Sequence, residues 1–155
     1  MKVNKAFEYI NNNIEYGVAG LDILCGEYIS SGTYRDVYQC VLFDNWVVKI
    51  DRSNSNSNIL EFETWDLVKR TKHRKWFAPC AWISSNGKIL LQQKTKPITD
   101  NKILPKKIPA YLSDVRIDNL GLIDGKLVTH DYSFTIDQLF KMKGNKKKVK
   151  LKLDV

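Results

Sequence analysis

The sequence predicts an α+β domain built on an antiparallel sheet. Three observations carry that prediction. Residues Ile23 to Ile50 are rich in β-branched and aromatic side chains and broken by turn pairs; ILEFETWDLVKRT has helical spacing; and Asn86-Gly87 and Asp124-Gly125 each sit between apolar runs, the signature of a hairpin. With 155 residues, 43% of them apolar, the chain fits one domain with a core of its own.

Taken in order, Val3, Phe7, Ile10 and Ile14 recur at three- and four-residue steps, which predicts a short amphipathic helix over 3–16. Three strands follow, at about Glu27–Ser30, Asp36–Leu42 and Trp46–Ile50, joined by a Ser-Gly turn and by Asp44-Asn45. SNSNSN, residues 53–58, is polar throughout and is expected to be an unpacked loop. The helix after it would share one face among Leu60, Thr64, Leu67 and Val68. AWISSNGKILLQQ reads as a hairpin, and a stretch punctuated by Pro97, Pro105 and Pro109 leads to a second hairpin in LGLIDGKLVTHDYS. A short helix from Thr135 to Lys143 and a Lys-rich tail complete the chain, the tail suiting an edge strand or a loose basic arm.

The net charge of +8 and pI near 9.3 invite a polyanion partner, yet much of the excess is confined to Lys69–Lys75 and Lys141–Lys152. Such runs serve either as solvated surface or as a contact for a polyanion or another anionic partner. Cys25, Cys40 and Cys80 are widely spaced and form no CxxC pair, which favours reduced, packed thiols; with His73 and His130 they match no usual zinc spacing. No apolar run reads as a membrane span, and Asn11, Asn12, Asn13 and Glu15 interrupt the N-terminus. The expectation is a soluble cytoplasmic protein.

Three segments carry chemistry. In ISSGTYRDVY a hairpin tipped by Gly32 could lay backbone N–H groups over phosphates, with Val37 on the return strand covering a base; a plain turn is the alternative. Lys49 in VVKI sits in an apolar strand, where a buried ammonium needs an anion, unless the strand is an edge and the lysine faces water. Glu61 and Glu63 downstream are available partners, and Glu61, four residues before Trp65 and seven before Val68, is placed on the inward face. In SDVRIDNLGLIDGKLVTHDYS a strand-loop-strand could gather Asp114, Asn119 and Asp131 at one mouth, although Asp and Asn also simply populate turns.

In that order the three segments resemble the protein-kinase superfamily signature: glycine-rich loop, VAIK lysine, helix glutamate, HRDxxxxN loop and DFG. The matching stretches here are ISSGTYRDVY, VVKI, ILEFETW, LSDVRIDN and DYS, over about residues 24–135. The resemblance implies a kinase-like N-lobe sheet with one main helix, plus a much reduced C-lobe carrying the catalytic-loop hairpin. It divides the chain into 1–93, 94–140 and a basic tail, 141–155. It implies ATP and Mg2+ as cofactors. Ser30, Ser31, Gly32 and Val37 would cover the nucleotide, Lys49 would hold the α/β-phosphates and pair with Glu61, and Leu91, Gln92, Gln93 and Lys94 would form the hinge that meets adenine. Asp114 would accept the proton of the acceptor hydroxyl, Arg116 would steady the γ-phosphate, and Asn119 and Asp131 would hold magnesium.

The departures are specific. One glycine of three survives in the loop, with Ser30 and Arg35 at the other places; HRD reads Leu112-Ser113-Asp114; DFG reads Asp131-Tyr132-Ser133; and no APE follows. The leading expectation is a phosphotransferase acting on a protein Ser/Thr or a small-molecule hydroxyl. A pseudokinase-like module that binds nucleotide or a partner protein is the alternative, and a basic nucleic-acid-interacting domain is a third. The chain resembles small phage or bacterial accessory proteins, which implies a host cytoplasm if phage-encoded, with no membrane partner.

Overall fold

The computed structural model describes residues 19–100, 104–105, 107–109, 111–112, 116–133 and 148–150. The expected helices over 3–16 and Thr135–Lys143 lie outside them.

Helix α1 (Ala19–Leu24) leads into strands β1 (Cys25–Ser31), β2 (Arg35–Cys40) and β3 (Trp46–Asp51). Helix α2 (Ser57–Val68) and a 3-10 turn (Lys72–Trp76) follow, then β4 (Cys80–Ile83) and β5 (Ile89–Gln93). These five strands form one antiparallel sheet in the order β1-β2-β3-β5-β4. Beyond it, β6 (Lys107–Pro109) pairs with β9 (Lys148–Lys150), so part of the basic tail is a paired strand. A 3-10 turn (Ile117–Asn119) enters the hairpin of β7 (Leu120–Ile123) and β8 (Lys126–Thr129). The α+β class, the antiparallel sheet with one main helix and the small second part are as the sequence predicts.

Both hairpin turns follow from their residues. Asp124 (φ 49°) and Gly125 (φ 72°) supply the two successive positive φ angles of a two-residue turn whose twist matches its strands. Gly87 (φ 71°) turns β4 into β5, and a Cβ there would stand 2.6 Å from Ile59.

The sheet has two covered faces. On one, Leu24, Cys40, Val48, Ile89 and Leu91 pack together beneath α1. On the other, Val68 of α2 joins Phe77, Cys80, Leu90, Ile108, Tyr111, Leu112 and Tyr132. Phe77 stacks on Tyr111 and meets Tyr132 edge-on, tying the sheet to the segment after β8. Cys40 and Cys80 are buried thiols and Cys25 is half-buried, all three unbridged.

Two expectations fail in α2. Leu67 is exposed, and the buried stripe is Ser57, Asn58, Glu61, Thr64 and Val68. The face is largely polar because it meets charged side chains of the sheet rather than apolar core. The SNSNSN loop is packed at its end: Ser57 and Asn58 begin the helix and are buried. Ser53 and Ser55 hydrogen-bond the Asp51 carboxylate at 2.8–3.1 Å, and Asn58 donates to the carbonyls of Lys49 (3.2 Å) and Lys88 (2.9 Å). Polar side chains pack when every donor and acceptor has a partner.

Candidate active site

Strand register sets the site. Lys49 lies opposite Val37, so both side chains emerge on one face; by the period of two, Arg35 emerges there also. That face looks onto α2, which presents Glu61. Lys49 is buried and donates to Glu61 Oε1 at 2.6 Å and to the carbonyl of His130. Glu61 is wholly buried and is the hub of the site. It accepts from Lys49 and Gln92 Nε2 (2.7 Å) on Oε1, and from Arg35 Nη2 (2.9 Å) and the Tyr132 amide (3.3 Å) on Oε2. Arg35 Nη2 also meets Asp131 Oδ1 at 2.5 Å, and Nη1 reaches Asn58 Oδ1 at 3.4 Å.

Burial alone would push the Glu61 carboxyl up, but Arg35 and Lys49 outweigh it and hold Glu61 below its ordinary range. Burial pulls Lys49 down; Glu61 opposes that pull and the neighbouring Arg35 adds to it. Arg35, facing two carboxylates, is raised in spite of its burial. His130 is lowered, by burial first and by Lys49 second. Its Nε2 faces the Asp118 carbonyl (2.8 Å), which can only accept, so Nε2 carries the proton and Nδ1 accepts from Thr95 Oγ1 (2.8 Å).

Two cavities open in front of these groups. The first, of about 410 Å³, is polar and is lined by Ser30, Gly32, Arg35, Arg116, Asn119 and Asp131. The second, of about 430 Å³, is more apolar and is lined by Val47, Gln92, Gln93, Lys94, Ile98 and Leu120. Val37, Lys49 and His130 line both, so the two are halves of one cleft. Asn119 and Asp131, an amide and a carboxylate of the hard-oxygen class that Mg2+ takes, border its polar half with Lys49.

Ser30, Ser31, Gly32, Val37, Lys49, Arg116, Asn119 and Asp131 thus all border the polar half, and Gln92, Gln93 and Lys94 the apolar half. Leu91 packs on the opposite face of the sheet with Leu24 and Val48. Glu61 stands behind Lys49, and Glu63 is exposed. Asp114 lies outside the described residues. Arg116 is exposed and pairs with Asp118. The Gly32 amide closes its own turn onto the Arg35 carbonyl (2.8 Å), and a Cβ at Gly32 would meet only that oxygen, at 3.9 Å, so this conformation does not demand a glycine. Arg52 braces the tip, donating to the Gly32 carbonyl (2.7 Å) and to Ser31 Oγ (2.9 Å).

Arg35, Asn58 and His130 were not anticipated as parts of the site. For Arg35 the signal was present: it stands two residues before Val37 on the strand that pairs with Lys49. For His130 and Asn58 no local pattern exists, since their partners, Asp118 and Thr95 for the first and Lys49 and Lys88 for the second, lie 9 to 35 residues away.

No family model and no curated protein matches the chain. Among solved structures, it is similar to the streptomycin-ATP-APH(2'')-IIa ternary complex, at 21% identity and a TM-score of 0.40, covering 66% of this chain and 32% of that one. The chain therefore spans about a third of the length of that relative.

Proposed function

We propose that the cleft binds ATP with magnesium and directs its γ-phosphoryl group to a hydroxyl, on a protein Ser/Thr or on a small molecule. The observation that carries this reading is Lys49. It is buried, held by Glu61 at 2.6 Å, and set where a polar cavity meets an apolar one. A triphosphate needs a fixed cation at the first and a base needs apolar walls at the second. Asn119 and Asp131 would hold magnesium, which would neutralise charge on the phosphates.

The chain's own residues divide the remaining work. Glu61 orients the Lys49 ammonium, and the His130 carbonyl, a second acceptor for Nζ, fixes its direction. Arg116, which lines the polar cavity, would meet the outermost phosphate. Asp114, by its position in the resemblance, would take the proton of the acceptor hydroxyl. Gln92 backs this arrangement from behind: its side chain is fully buried and its Nε2 donates to Glu61 Oε1 at 2.7 Å.

One observation favours the pseudokinase-like alternative: Arg35 already occupies Asp131. The test is transfer from [γ-32P]ATP to water, to the protein itself and to hydroxyl acceptors. The expected result is label transfer in the wild type and its loss, with ATP affinity retained, in Asp114→Ala. Binding without any transfer would favour the alternative.

A further inference from the structure

Arg35 is the feature for which the proposed reaction has no use. It stands where the resembled loop has its third glycine, yet its guanidinium runs inward and is almost completely buried. A guanidinium keeps its charge at any ordinary pH, so its burial requires anions. It has two, through one nitrogen: Glu61 Oε2 at 2.9 Å and Asp131 Oδ1 at 2.5 Å. Glu61 already has Lys49. Asp131 makes no second salt bridge among the described residues, and its side chain is 47% exposed, bordering the polar cavity that Asn119 also lines.

We infer that Arg35 is a resident cation that competes with divalent metal for the Asp131 carboxylate and so sets the affinity of the site for that metal. This rests on reading Asp131 as the metal-holding carboxylate. Arg35, Lys49, Glu61 and Asp131 balance to zero in the closed arrangement, so a divalent ion arriving alone must either displace the short charge-assisted bond on Asp131 Oδ1 or take the other oxygen beside it, and both ways it meets the Arg35 charge. Phosphate oxygens would remove that obstacle by giving Arg35 a new anion. Metal alone therefore enters only at high concentration, displacing Arg35 as it binds, and enters at lower concentration together with nucleotide, when Arg35 passes from Asp131 to phosphate. Arg35 is in this sense a positioning residue: it keeps Glu61 and Asp131 in place in the empty cleft.

The test uses Mn2+ alone, without nucleotide, so its outcome is separate from whether ATP binds. Free Mn2+ is followed by electron paramagnetic resonance for wild type, Arg35→Gln and the double variant Arg35→Gln/Asp131→Asn. The inference expects the half-saturating Mn2+ concentration to fall at least tenfold in Arg35→Gln and to return to the wild-type value or above in the double variant. An unchanged or higher value in Arg35→Gln overturns it, as does a gain that survives loss of Asp131. Should Arg35→Gln not fold, the wild type decides. In 15N guanidinium spectra the Arg35 resonances should shift on Mg2+ titration and stay fixed in Asp131→Asn; a wild-type spectrum indifferent to Mg2+ overturns the inference.

Discussion

Glu61 accepts from two cations, an amide side chain and a backbone amide while fully buried, so its charge is essential to its neighbours. Replacing it by Gln leaves Arg35 and Lys49 facing a neutral group. Glu61→Gln should cost about 3–5 kcal/mol in chemical denaturation, whereas Glu63→Gln, on the exposed side of α2, should stay within about 0.5 kcal/mol. The reverse ranking would mean that the helix register is wrong. His130 gives a pH dependence with a definite sign. Its pKa is lowered from 6.5, so the unfolded chain takes up the proton first, and stability present above about pH 6.5 is lost on acidification towards the lower folded value. Denaturation midpoints between pH 7.5 and 5 should fall in the wild type and flatten over that window in His130→Gln. At this scale the sequence was informative where local spacing spoke: Glu61 over Glu63 followed from the helical period. It was silent where a long-range partner decides, as with His130 and Thr95.

At the scale of elements, hairpins and helix positions were legible because turn chemistry and periodicity act over a few residues. Asn86-Gly87 and Asp124-Gly125 turn where their residue types demand. The SNSNSN segment packs for a physical reason that composition cannot reveal: Asp51, Lys49 and Lys88 supply partners for Ser53, Ser55 and Asn58. Asn58 joins α2 to both β3 and the β4–β5 hairpin, so Asn58→Ala should destabilise by about 1–3 kcal/mol, read from urea midpoints. The two turn glycines offer a paired control. Gly125→Ala meets only the left-handed backbone cost of about 1–2 kcal/mol, since no atom lies within 4 Å of its new Cβ. Gly87→Ala adds a 2.6 Å approach to Ile59 and should cost more; equal losses would mean that Ile59 turns aside freely.

Across the whole molecule, the cleft forms where the sheet, the start of α2 and the 3-10 turn before the β7–β8 hairpin converge: the sheet brings Arg35 and Lys49, the turn brings Asn119, Asp131 follows β8, and Glu61 of α2 backs Lys49. The order of these residues along the chain was legible as a signature. Their closure around Arg35 was not, because a cation in place of a loop glycine reads as surface until the strand register is known. The positive charge in the 3-10 turn after α2, with Lys72, Arg74 and Lys75 exposed, lies on elements that do not line the cleft. Nucleotide binding there should therefore depend on Asp131 and not on that patch. Among the described residues no helix is long and apolar enough to cross a membrane. The most direct measurement is calorimetric titration of the whole chain with ATP, with and without Mg2+, beside Asp131→Ala. The account predicts binding that requires Mg2+ in the wild type and vanishes in the variant. Absence of binding to the wild type, or binding that Asp131→Ala leaves intact, would contradict it.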